Sequence, residues 1–189
     1  MRAALGTDER VAASTAFQGL TAQLVAPLFG MTVVGGAVPD RDPGAVAASL
    51  HWRPGPDGPW LWWAGPAGAP AERGDLGRLL AGLLGPLVAA VRAHVAISPR
   101  VLWSDAASAV ATARRLVVEA RPSLADAAAT VAYRLLTTPP LAPVAALRAP
   151  EPPDALWTFR RRSCCLYYRV PGGGICGDCV LLDRRPRGG

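Results

Sequence analysis

All four cysteines of the chain lie in one short stretch near its end: Cys164, Cys165, Cys176 and Cys179, spaced Cys-Cys-x10-Cys-x2-Cys. In a reducing compartment, clustered thiols point to metal ligation or redox chemistry rather than to structural disulfides. The Cys176–Cys179 pair can bite one metal, with Gly177 permitting the tight turn, and the Pro171–Gly174 segment can fold the two halves of the motif together. In a regular strand the adjacent Cys164 and Cys165 would point to opposite faces, so this pair must leave strand geometry to share a site. Three chemistries fit the spacing: a four-thiolate 2Fe–2S cluster, a structural zinc ion, or a disulfide or free-thiol redox pair at Cys176 and Cys179. The third leaves Cys164 and Cys165 without a role.

Around the thiols stand Arg160, Arg161, Arg162 and Arg169. They read either as a solvated basic strip or as the charge that steers an anionic substrate or an acidic electron donor towards the site. Asp178, inside the Cys-x-x-Cys bite, is expected to cap the turn. Elsewhere the chemistry-bearing residues are sparse. His94 lies near the apolar stripe of a helix and reads as structural, while His51 sits beside Trp52 on a strand. No Gly-x-Gly-x-x-Gly and no Walker-type loop is present, so nothing suggests a nucleotide or flavin site. Four of the six tryptophans (Trp52, Trp60, Trp62 and Trp63) fall in one hairpin, which reads mainly as core, with an aromatic wall for a ligand as the alternative.

The run Arg161-Arg162-Ser163-Cys164-Cys165-Leu-Tyr-Tyr-Arg, followed by Cys176-Gly-Asp-Cys179, resembles the terminal motif of the FhuF-like ferric siderophore reductases. Upstream, Val101-Leu102-Trp103-Ser104-Asp105 is similar to a Leu-Trp-Gly-Asn-type helix start in the same family, with Ser104 and Asp105 where Gly and Asn are usual, so no role is carried over to them. The resemblance covers the last 30 or so residues well and the middle more loosely. It implies a 2Fe–2S cluster held by Cys164, Cys165, Cys176 and Cys179. It also implies an iron reductase that passes one electron to a ferric siderophore, supplied by a separate ferredoxin or reductase-like donor. Under this reading no nucleic acid is bound, and a transient membrane-side contact with the uptake machinery is expected. The alternative is a non-catalytic zinc-binding module whose basic tail docks a protein or nucleic acid.

The elements that must position this motif follow from periodicity. A first helix spans Arg10–Phe29, and Met31–Val38 is strand-like from its β-branched and glycine content. Leu50–Arg53 and Pro59–Trp63 flank a Pro-Gly-Pro-Asp-Gly turn and read as a hairpin. Asp75 opens a second helix with a clear leucine and valine stripe, which Pro86 is expected to kink. Ser98-Pro99 signals the start of a third, a cap followed by proline in the first turn. Ser123 and Asp126 resemble a capping box for the last long helix, which ends before Thr137. Six prolines between Pro139 and Pro153 read as a stiff connection, so residues 1–150 are expected as a helical body with the tryptophan hairpin and 151–189 as the cluster-binding segment. The fold class is α+β: a helix-rich body, a small antiparallel sheet and a C-terminal iron–sulfur segment.

Composition supports a globular chain and little more. With 189 residues, 51% hydrophobic and 18% charged, and a mean hydropathy of +0.23, the chain is not of the disordered class. All 20 basic residues are arginine, and lysine and asparagine are absent, which reads as G/C-rich coding bias. The net charge of +6 is uneven: residues 151–189 hold seven Arg against four acids, a balance of +3. No secretory signal is legible at the start, and the uncharged runs Val11–Pro39 and Leu79–Val91 read as buried elements, so a cytoplasmic protein is expected.

Overall fold

The computed structural model describes residues 6–36, 42–53, 60–63 and 74–182; for Trp52 and residues 60–63 it describes the backbone alone. Five helices dominate. Helix α1 (Glu9–Gly35) is capped by Asp8, whose side chain accepts from Val11 N. It runs on through Pro27 and through Met31–Gly35 of the stretch read as a strand, whose last two residues, 37 and 38, lie outside the described residues. Thr32 returns its hydroxyl to Leu28 O, Val33 is buried in the core, and the helix stops only at Gly36. Gly36 adopts φ 69°, a left-handed turn that glycine takes without strain. Tertiary burial of Leu28, Phe29 and Val33 thus overrides the local β preference of this segment.

Helix α2 (Pro43–Ala48) is short and lies against α3 (Leu76–His94), which starts at Asp75 as expected and continues through Pro86. The turn read between the hairpin strands, with Pro59, lies outside the described residues, but the strands themselves pair. β1 (Leu50–Arg53) and β2 (Trp60–Trp63) are antiparallel with Leu50 opposite Trp63, and β2 lies against α1. Whether the tryptophan rings line core or ligand falls outside the described side chains. Helices α1 and α3 have the length and hydropathy of bilayer-crossing helices. In this fold α1 contributes Leu24, Val25, Leu28, Phe29 and Val33 to the core, and α3 contributes five buried leucines.

Helix α4 (Pro99–Ala120) is the centre of the molecule, capped by Ser98 with Pro99 in its first turn. Every residue from Ser104 to Ala111 is buried, which is possible only for a helix covered on all sides. Its alanines keep that covering close: Ala106, Ala107, Ala109, Ala111 and Ala113 allow α1 to pack along its length. Helix α5 (Ala125–Leu136) packs on the other side. It does not use the expected capping box. A 3-10 turn (Pro122–Leu124) leads into it, and Leu124 takes the cap position without a side-chain bond. A proline at the turn's start fixes the entry, so Ser123 is carried past the geometry a cap needs.

The proline-rich stretch does more than connect. Leu141, Val144 and Ala145 are buried, and β3 (Ala145–Arg148) pairs antiparallel with β4 (Thr158–Arg161), Ala145 opposite Arg161. Residue 150, where the prolines suggested a boundary, lies in the loop joining these two strands. Phe159 of β4 is fully buried in the main core beside Ala145 and Leu136. The last strand before the cysteines is therefore anchored by a side chain whose removal would cost about 3–5 kcal/mol.

Candidate metal centre

Beyond β4 the chain turns back on itself. Arg161 N donates to Asp178 O at 2.9 Å and Arg162 N to Val144 O at 2.9 Å, which brings the two halves of the cysteine motif side by side. Leu166 adopts φ 66° immediately after the cysteine pair. That left-handed residue, unusual for leucine, lets Cys164 and Cys165 escape strand alternation. A 3-10 turn follows (Tyr167–Arg169), and the chain then reverses with Gly172 at φ 71°. At Gly173 a Cβ would stand 2.7 Å from Tyr167 O, so only glycine fits the reversal.

The four thiols are free. Cys165 and Cys179 are buried, Cys164 and Cys176 half-buried. Cys165 Sγ lies 3.6 Å from Cys176 Sγ, joining the two halves of the motif. A tetrahedral metal with bonds near 2.3 Å places its ligand sulfurs about 3.8 Å apart, so this pair already has the span of two ligands on one metal. Leu166 N–H points at Cys164 Sγ (3.3 Å) and Leu181 N–H at Cys179 Sγ (3.4 Å). Amide donors to thiolates stabilise negative sulfur and are one of the controls on an iron–sulfur potential. Hydrogen bonding between Cys165 and Cys176 holds the Cys165 thiol below its usual range, with Arg161 assisting, and pushes Cys176 up. No three cysteine, histidine, aspartate or glutamate side chains among the described residues converge on a single metal ion.

Three polar side chains of α4 hold this loop: Ser104 and Asp105, which stand in the family-like helix start but carried no role there, and Ser108, which the sequence had not marked. Ser104 Oγ donates to Ser163 O at 3.2 Å, Asp105 binds Arg161 Nη1 at 2.5 Å, and Ser108 Oγ donates to Asp178. Arg161 Nε completes the set at 3.1 Å from the same Asp178 oxygen. From α1, Ser14 Oγ lies 2.8 Å from both Asp105 Oδ2 and Cys165 O. All these side chains except Ser163 are buried. Burial pushes Asp105 up to about 7, against the opposing pull of Arg161 and Ser14. For Asp178 burial acts the same way, but Arg161 and Ser108 outweigh it and hold the carboxyl below its usual value. Burial would lower Arg161; its two carboxylate neighbours more than reverse that and keep it charged. The legible signal was a serine, an aspartate and a serine at i, i+1 and i+4 of an otherwise apolar helix stretch, which share one face.

The expected arginine strip divides. Arg161 is 1% exposed and internal, so it cannot meet a solute from outside. Arg160 is tied to Glu151 and to Gly177 O, both at 2.5 Å. Arg169 pairs with Asp8 at 2.6 Å, linking the cysteine loop to the start of α1. Arg162 alone of the four is exposed with no side-chain partner among the described residues. Asp178 is not a turn cap but part of the buried network. His94 is exposed in the last turn of α3 rather than packed in its stripe, and His51 is exposed on β1. Neither approaches the cysteines in sequence or through a recorded contact.

Residues 161–181 match the family model described as the FhuF 2Fe-2S C-terminal domain. No curated protein and no solved structure matches the chain. The match covers all four cysteines, both buried partners on the tail (Arg161 and Asp178) and the two amide donors. It selects the 2Fe–2S cluster over zinc as the cofactor of this segment, in agreement with the donor set: four free thiols, two amide donors and a buried cation.

Proposed function

We propose that the protein is a 2Fe–2S iron reductase that delivers one electron to Fe(III)–siderophore complexes and releases Fe(II) after uptake. The observation that carries this reading is the coincidence of the FhuF 2Fe-2S domain match with four free cysteines, two buried and two half-buried, in a loop held against the helical body. When bound, the cluster supplies a one-electron carrier. The oxygen donors of a siderophore are hard ligands that hold Fe(III) far more tightly than Fe(II), so a single electron frees the metal.

The chain's own residues give the reaction its place. Cys164, Cys165, Cys176 and Cys179 would hold the cluster, and α4 with Ser14 fixes their loop. Tyr167, Tyr168 and Ile175, in the segment between the two cysteine pairs, are exposed. With Arg162 they form an apolar and cationic surface against which a bulky anionic ferric complex can rest. Arg160 and Arg169, both ion-paired, contribute less to steering than Arg162 does. The electron comes from a separate one-electron donor of the ferredoxin or reductase class, and the setting is the cytoplasm, with contact to the uptake machinery at the membrane.

Anoxic purification and reconstitution test the reading. Visible charge-transfer bands that bleach with dithionite are expected, followed by oxidation of the reduced protein on adding a ferric siderophore, with Fe(II) trapped by a ferrous chelator. A colourless protein that binds one zinc ion and no acid-labile sulfide would leave the zinc-module alternative in its place.

A further inference from the structure

Arg161 is placed where a surface-steering residue would not be. Its guanidinium is wholly inside the protein, with Nε on Asp178 and Nη1 on Asp105, while Nη2 has no hydrogen-bond partner among the described residues. A buried N–H on a charged group left without an acceptor costs more than a neutral one, because no water compensates it. A guanidinium is planar, so Nη2 shares an edge with Nε. One of its N–H bonds therefore lies along the edge whose Nε meets Asp178, the residue inside the Cys176–Cys179 turn. Among the described residues no other cation occupies this interior: Arg160, Arg162 and Arg169 all reach solvent or surface acids.

We infer that Arg161 is the internal counter-charge of the cluster, donating its free Nη2 N–H to a cluster sulfur and so favouring the reduced state. The inference rests on the 2Fe–2S assignment but not on the siderophore reaction. An added electron makes the sulfurs more negative, so a fixed cation with an N–H aimed at them stabilises the reduced form more than the oxidised form. The oxidised form is itself held in a protein that has already desolvated the cation, so little reorganisation accompanies reduction. Arg161 thereby does two things at once: it closes the loop onto α4 and it sets the electron affinity of what the loop holds. It is a positioning and tuning residue, and no bond to the substrate is asked of it.

Two measurements on the reconstituted holoprotein test this. The first uses the unaltered chain labelled with guanidino-15N arginine and reduced to its paramagnetic state. Pulsed electron paramagnetic resonance is expected to show a 15N coupling that vanishes in Arg161→Lys. No arginine nitrogen coupling in a fully loaded protein would overturn the inference, whatever the variants do. The second is the midpoint potential. Arg161→Gln, which removes the charge, is expected to weaken the reduced state at least tenfold, about 59 mV for one electron. Arg161→Lys, which keeps the charge, is expected to stay within a few-fold of the unaltered protein. An unshifted potential in loaded Arg161→Gln would overturn the inference. If that variant fails to load, the labelling result and the Arg161→Lys potential decide. A loaded protein that shows the coupling but never oxidises with a ferric siderophore would refute the reductase reading and leave this one standing.

Discussion

Helix α4 grips the C-terminal segment at two places, and the two grips are built with inverted charge. Towards its N-terminal half it offers one carboxylate, Asp105, and the tail supplies Arg161 and a second carboxylate, Asp178. Three turns further on it offers two cations, Arg114 and Arg115, and the tail supplies one carboxylate, Asp154. The first grip holds one positive and two negative groups; the second holds two positive and one negative. Each also leaves one buried N–H without an acceptor, Arg161 Nη2 in the first and Arg114 Nε in the second. Their surroundings differ in kind. Arg114 lies 3.9 Å over the Trp157 ring and donates to Trp157 O, so its face is packed against an aromatic wall. Arg161 has thiols for neighbours. One arrangement is a staple; the other is a staple placed where its charge can act on redox chemistry.

The largest expected effect breaks the first grip's purpose outright. Cys164→Ser, Cys165→Ser, Cys176→Ser and Cys179→Ser should each lose the visible spectrum or most of its intensity, while the second grip keeps the helical body folded. A helical circular-dichroism signal that survives in all four would show that the body folds without the cluster.

Next come the two salt-bridge centres. Arg161→Gln leaves Asp105 and Asp178 without their cation and should destabilise the apoprotein by about 4–5 kcal/mol, whereas Asp154→Ala should cost about 3 kcal/mol, since Arg115 is partly solvated and Arg114 retains the indole. Denaturant titrations with a common m-value measure both. The sharper contrast lies in the cofactor. Asp154→Ala should keep the spectrum and potential of the unaltered protein, and a potential shift there as large as in Arg161→Gln would erase the distinction drawn between the two grips.

The pH dependence contributed by Asp105 and by Asp154 should run in opposite directions. Burial raises Asp105 to about 7, so between roughly pH 4 and 7 the folded apoprotein binds a proton that the unfolded chain has lost. Stability from this group is therefore greatest in acid and declines as the pH rises to about 7. Asp154 is raised by burial but lowered further by Arg115 and Arg114, with a net shift downward. Its contribution is present above roughly pH 4 and is lost on acidification through its folded-state value. In apoprotein melts, Asp105→Asn should flatten the decline towards neutrality, and Asp154→Asn should flatten the loss in acid. The reverse pattern would mean that the two carboxylates are ionised otherwise than their surroundings dictate.

The smallest effect concerns the outer surface. Arg162→Ala should slow oxidation by an anionic ferric siderophore a few-fold at low salt, with the difference fading near physiological ionic strength as screening shortens to about 8 Å. Neither stability nor spectrum should move. An equal loss for a neutral complex would remove charge steering from Arg162.

The sequence by itself determined the chemistry and much of the scaffold. Four cysteines at that spacing can do little besides bind metal or exchange electrons, and their residue types and intervals survive any folding. The helix starts at Asp75 and Ser98 were legible because a cap is a local hydrogen bond between near neighbours in the chain. The end of α1 was not legible, since its β-branched residues favour a strand until Val33 is counted as core. The proline-rich stretch likewise hid a strand, β3, whose partner lies across the loop at residue 150. What tertiary structure alone decided is the division among the arginines. Arg160, Arg161 and Arg162 are identical in type and consecutive in the chain, yet on β4 Arg160 and Arg161 point to opposite faces, only Arg161 inward, and Arg162, just past the strand's end, is exposed. The core anchor Phe159 and the register with β3 set which one turns inward, and Asp105 awaits it there, 56 residues away. A long-range pairing of charges has no local signature, because only burial makes the pairing necessary.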